Sequence, residues 1–117
     1  MSEKELTVLT FLKEFKRLMS QRKYRIISCR PKNMNTLTIL GITETQRDKH
    51  IENIIKDDYS FGPTPDHDRP GNIWVFGKEI NGYELYIKLK INTQTDGKKA
   101  LCISFHIAER PLDYPFK

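Results

Sequence analysis

Two turn dipeptides, Asn81-Gly82 and Asp96-Gly97, bracket a run in which apolar residues alternate with Tyr86, Lys88 and Lys90. Asn-Gly is the strongest short-range hairpin signal, because a type I′ turn needs left-handed backbone at both central residues. A chain that carries it between alternating runs is committed to an antiparallel hairpin, and Asp96-Gly97 adds a third strand. The spacing predicts strands over Ile73–Ile80, Tyr83–Ile91 and Lys99–Ala108. A two-residue loop at Asn81-Gly82 sets Ile80 opposite Tyr83, Phe76 opposite Ile87 and Trp74 opposite Leu89, an apolar face. A three-residue loop, Thr95-Asp96-Gly97 with Gly97 left-handed, continues that face by setting Leu89, Ile87 and Leu85 against Ile103, Phe105 and Ile107. A two-residue loop there slips the register by one and sets apolar against polar side chains, so the three-residue form is expected.

The same register puts Tyr86 against His106, Lys88 against Ser104 and Lys90 against Cys102 on the opposite face, where directly opposed Cβ atoms lie about 4.5–5.5 Å apart. A phenol, an imidazole and ammonium groups thus converge on one patch. Gly77 faces Tyr86 and leaves room for a ligand or for a close backbone approach. Were Gly77 also a bulge, Lys78 would turn from the core side toward the patch. The strand end adds Glu109 and Arg110. A plain solvated sheet face is the competing account of all these side chains.

Helices precede the strands. Ser2 with Glu5 forms a capping box, and Val8, Phe11, Leu12, Phe15, Leu18 and Met19 repeat at helical spacing over residues 3–20. "YRIISC" (24–29) is a short strand, "NMNTLTILG" a short helix stopped by Gly41, and Thr43 with Gln46 opens a further helix through Ile51, Ile54 and Ile55. Residues 57–71, acidic and rich in proline and glycine, read as a loop. The whole is one α+β domain over residues 1–117, with N-terminal helices packed on a C-terminal antiparallel β-meander.

Charge and motifs narrow the function. The net charge is +5, and Lys13 to Lys32 holds eight basic residues against one acid, Glu14. That run suits phosphate contacts, or else a solvated helix face followed by a linker. No apolar run approaches the roughly 18 residues of a membrane span, and no signal-peptide h-region opens the chain, which points to the cytoplasm and away from any membrane partner. Cys29 and Cys102 form no CxxC pair and read as buried reduced thiols. His50 reads as exposed and idle, and Asp66-His67-Asp68 are too close in sequence to wrap a metal ion. There is no P-loop, GxGxxG, HExxH or GxSxG, which argues against nucleotide-dependent or hydrolase-elbow chemistry.

The ordered set "LGIT", "DDYSFGP", "NIWVFGK", "GYELYIKLKI" and "CISFHIAERPLDYPF", within residues 40–117, resembles the MqsR-like toxins of bacterial toxin–antitoxin modules, within the RelE/ParE superfamily. The resemblance implies a small basic α+β protein that cleaves messenger RNA without metal or cofactor and is neutralised by a cognate antitoxin. RNA, the antitoxin and the ribosome are the partners it suggests. Tyr86 falls where these toxins place a functional tyrosine, and Lys88 keeps the lysine two residues on. The chain departs from the pattern at Val75, where a glutamine is typical, in "DYSFGP", which lacks the expected lysine, and at His106, where the family has a lysine.

Cleaving RNA through its own 2′-hydroxyl needs a base, cations for the phosphorane and an acid for the leaving 5′-oxygen. His106, with a reference pKa near 6.5, can serve as acid or base. Lys88 and Lys90, with Arg110 or Lys78, can hold phosphate, Arg110 as a planar fork. Tyr86 can orient the phosphate or stack a base, and Glu109 can tune His106, act as a base, or simply face solvent. The candidate catalytic set is His106, Tyr86, Lys88 and Glu109, and the phosphate-binding set is Lys78, Lys90 and Arg110. The alternative from another class is a non-catalytic RNA- or ribosome-binding protein, or a ParE-like inhibitor of a protein target.

Overall fold

The computed structural model describes residues 1–28 and 30–117. Three helices, α1 (Glu3–Ser20), α2 (Pro31–Leu40) and α3 (Glu44–Glu52), accompany five strands, β1 (Tyr24–Ile26), β2 (Tyr59–Pro65), β3 (Asn72–Ile80), β4 (Tyr83–Gln94) and β5 (Gly97–Ile107). The strands form one mixed sheet in the order β1-β5-β4-β3-β2, with β1 parallel to β5 and every other pair antiparallel. The expected meander is its centre, β3-β4-β5. Among the described residues no helix is long and apolar enough to cross a membrane.

Local signals explain the helix bounds. Both capping boxes close as expected: Ser2 accepts from the Glu5 amide and Thr43 from the Gln46 amide. Gly41, at φ 70, ends α2 in the left-handed conformation that a Cβ disfavours. α3 stops at Glu52, one turn short of the expected end, although Ile54 is still fully buried. The apolar stripe of α1 packs against one sheet face, with Phe11 stacked on Trp74 at 4.5 Å and next to Phe76. Burying such side chains contributes about 1.5–3 kcal/mol each, which fixes the helix layer on this face and leaves the other open.

Three expectations are corrected. Residues 57–71 are not all loop: a 3-10 turn, Lys56–Asp58, leads into β2, which pairs with β3 through two register shifts. The sequence hides this strand because Pro63 and Pro65, donor-less residues, sit in it, and edge strands are where proline is tolerated. The β4–β5 connection is the two-residue form, Thr95-Asp96, with Gln94 opposite Gly97. A bulge beyond Leu89 then restores the expected pairs Lys88–Ser104, Ile87–Phe105, Tyr86–His106 and Leu85–Ile107. Toward the turn Leu89 meets Cys102, not Ile103, and Lys90 meets Leu101, not Cys102. Ile103 joins Ile73 and Val75 in a small apolar cluster on the second face. The third correction concerns Gly77, where β3 and β4 pair without interruption, so no bulge turns Lys78 outward.

Of the two cysteines, Cys102 is free and buried in the main core, and burial pushes its thiol up to about 12. Cys29 lies outside the described residues.

Gly77 admits the C-terminal segment. A Cβ there would overlap the Tyr114 hydroxyl and lie 2.6 Å from Leu112 Cδ1. Tyr114 cannot swing away freely, because its hydroxyl donates to Glu84 Oε2 at 2.7 Å while the Leu112 amide donates to Glu84 Oε1 at 3.2 Å. The space beside Tyr86 is thus taken by the chain's own tail. Gly77→Ala is expected to lower stability by about 1–3 kcal/mol, the usual cost of overpacking, and to expose the tail to protease. An unchanged melting temperature with an intact tail would refute this.

Candidate functional site

The open face of β4 and β5 is walled on one side by the first turn of α2 and on another by the segment after β5. The resulting groove, about 820 Å³, is lined by Arg30 and Lys32 from the start of α2, Tyr86 and Lys88 from β4, His106 from β5, and Glu109 and Arg110 beyond it. Cross-strand pairing brings Tyr86 and His106 together, their rings stacked with centroids 5.1 Å apart and planes 14° from parallel. His106 Nδ1 lies 3.0 Å from the Ile107 carbonyl oxygen. A carbonyl only accepts, so this contact puts the hydrogen of a neutral ring on Nδ1 and leaves the lone pair on Nε2. Burial raises the Tyr86 phenol above its ordinary value, so it stays a neutral donor at physiological pH.

The cations divide into free and engaged. Among the described residues, Arg30, Lys88 and Arg110 have no carboxylate within 4.0 Å. Glu109 is ion-paired with Lys32, and that ammonium holds its carboxyl below the ordinary value. Glu109 is therefore a firmly ionised carboxylate and a weakened base.

Two expected phosphate ligands do not line this groove. Lys78, opposite Leu85, is on the helix side, where its Nζ lies 3.4 Å from the Asn53 carbonyl oxygen. Lys90 does lie on the open face but is only 2% exposed, and its Nζ sits 2.7 Å from Asp66 Oδ2. The basic run from Lys13 to Lys32 is split as well. Lys16 is close enough to Lys78 to be influenced by its charge, and Arg17 pairs with Glu14, whereas Arg25, Arg30 and Lys32 reach the open face. Of the minor candidates, His50 is partly desolvated and held below its ordinary value by burial and by Lys78, and Asp66 is taken up by Lys90.

Asn33 was not legible as a site residue, yet it fastens the site together. β1 leaves the edge of β5 after Cys102, where the Ile27 amide makes the last backbone bond. Beyond that point Asn33 Nδ2 donates to the Ile103 and Ile27 carbonyl oxygens, at 3.0 and 2.8 Å, and Oδ1 accepts from the Phe105 amide at 3.1 Å. One buried carboxamide replaces the missing strand at the bulge and holds the backbone next to His106. Its only sequence signal is position, two residues after a Pro that opens a helix. Arg30 and Ser104, also in the groove, carried no individual signal either.

The chain matches no protein-family model, no curated protein and no solved structure. Its chemistry is carried by the residues themselves. An imidazole held through Nδ1, a phenol donor and lysine and arginine side chains around one open groove can bind a phosphate and move a proton beside it.

Proposed function

We propose that this chain is the toxin of a bacterial toxin–antitoxin module, similar to the MqsR-like proteins of the RelE/ParE superfamily, and acts as an endoribonuclease on messenger RNA. The observation that carries the reading is the stacked Tyr86–His106 pair in an open groove that Lys88 and Arg110 also line. The RNA 2′-hydroxyl gives its proton to His106 Nε2 and attacks the adjacent phosphorus. The Lys88 ammonium and the Arg110 guanidinium stabilise the phosphorane charge. The P–O5′ bond breaks, the leaving 5′-oxygen takes a proton from the Lys88 ammonium, and Tyr86 orients the phosphate. The products are a 2′,3′-cyclic phosphate and a 5′-hydroxyl. Acid, base and cations all come from the chain, so no metal is assigned a step. A cognate antitoxin that covers the groove would block all of this.

Three measurements test the reading. Expression without an antitoxin should arrest bacterial growth, and the purified protein should cleave messenger RNA in EDTA to cyclic-phosphate ends. Affinity should fall steeply with salt, since each phosphate contact releases counterions. Salt-dependent binding without cleavage would identify the non-catalytic RNA-binding alternative instead. Normal growth at confirmed soluble expression, with no RNA binding, would sink both.

A further inference from the structure

The groove does not end at His106. Past Tyr86, Lys88 and Arg30 it continues across the open face as a second trough of about 890 Å³ that reaches β2 and the loop after it. Six basic and two acidic side chains line this trough, and one of the acids, Asp66, is already neutralised by Lys90. Arg25, Arg69 and Lys99 stand along it with no carboxylate within 4.0 Å among the described residues. Beside them lies Phe61, 41% exposed and the one phenylalanine among the exposed large hydrophobic residues. Phe61 is opposite Val75, which is opposite Lys88, which is opposite Ser104, so one row of side chains runs from Phe61 to the His106 strand.

An aromatic ring left 41% exposed keeps apolar surface in water that burial would make favourable. On a sheet face flanked by unpaired cations it matches the way single-stranded nucleic acid is held: phosphates on the cations, an unstacked base on the ring. We infer that Phe61 is a base-stacking platform for single-stranded RNA, with Arg25, Arg69 and Lys99 holding the phosphates of nucleotides that flank the cleaved bond. The inference rests on the ribonuclease reading and extends it. Strands lie about 4.8 Å apart, so three spacings put Phe61 about 14 Å across the sheet from the β5 row. The base it receives is therefore not the one at the cleaved phosphate.

The test uses the His106→Ala protein, which does not consume its ligand, and a single-stranded RNA of about ten nucleotides, within the usual site size of such grooves. Adding Phe61→Ala should raise Kd about tenfold, as loss of one base–aromatic stack does. Phe61→Trp should retain affinity, and its exposed indole should be quenched on binding. In the otherwise unaltered enzyme, cleavage of a dinucleotide, too short to reach Phe61, should be unaffected by Phe61→Ala. Duplex RNA of the same length, its bases already stacked, should bind both Phe61 forms alike. If the ten-nucleotide RNA binds the Phe61→Ala protein within twofold of its parent, the platform is refuted while the cleavage site stands. If the parent binds no RNA, the ribonuclease reading itself falls and the platform with it.

Discussion

His106→Ala is expected to slow RNA cleavage by about 100-fold or more while the protein stays folded. The rate loss is that of removing a general base positioned in the transition state. The small structural effect follows from what the ring touches. His106 is partly exposed on the open face, outside the main core cluster, and its contacts are the stack on Tyr86 and one backbone carbonyl. A stacked aromatic pair contributes about 0.5–1.5 kcal/mol beyond its burial, too little to unfold a domain of ordinary stability. The lone pair on Nε2 makes a sharper claim than loss of rate: the position needs a proton acceptor and not merely a hydrogen-bonding group. His106→Gln keeps a hydrogen-bonding side chain of comparable reach but cannot take up a proton, and should be as inactive as the alanine variant. Wild-type cleavage by either variant would remove His106 from the mechanism. Glu109, ion-paired with Lys32 and weakened as a base, is a poor replacement.

The open face was largely legible because it depends on one hairpin. Asn81, at φ 52, and Gly82, at φ 86, adopt the left-handed backbone expected of them, and the β3–β4 register follows residue by residue. The β4–β5 register came out right at Tyr86–His106 for a partly wrong reason. A three-residue loop and a two-residue loop with a bulge give the same pairs beyond the bulge. The sequence favours the wrong one, because Leu101, Ile103, Phe105 and Ile107 alternate without a break, whereas in the fold Ala100 and Cys102 enter the main core in one phase and Phe105 in the other, with the extra residue between Cys102 and Ser104. What could not be read from strand alternation was tertiary. The salt bridge that takes up Lys90 depends on a distant loop. The carboxamide of Asn33 serves a strand 70 residues away. Lys78 depended on a bulge at Gly77, and that glycine instead makes room for Tyr114 and Leu112.

Asp66→Ala is expected to cost about 3–5 kcal/mol, the range for removing one partner of a buried ion pair. Lys90 has almost no contact with solvent, so without the carboxylate 2.7 Å from its Nζ the ammonium is left desolvated and unpaired. The loop is built around this contact: the Asp66 amide donates to the Gly71 carbonyl at 2.9 Å, and Gly71, at φ 103, lies so close that a Cβ would be 3.2 Å from Lys90 Cε. With about 4–8 °C of melting temperature per kcal/mol in a domain near this size, the loss should exceed about 10 °C. Lys90→Met should cost less, because Asp66 keeps the Asp68 amide at 3.0 Å and stands nearer to water. The double variant should recover much of the loss, since an apolar isostere in place of a buried pair is often neutral. The pH dependence has a definite sign. Lys90, with the Asp68 amide, lowers the Asp66 carboxyl from 3.8 to about 2, so the pair's stabilisation is complete above about pH 4 and is lost as pH falls through 2. Denaturation midpoints of Asp66→Ala and wild type should therefore converge in that acid window and stay apart at neutral pH. Equal stability at pH 7 would mean that Lys90 reaches water in solution, and that the loop from Asp66 to Gly71 is not anchored by it.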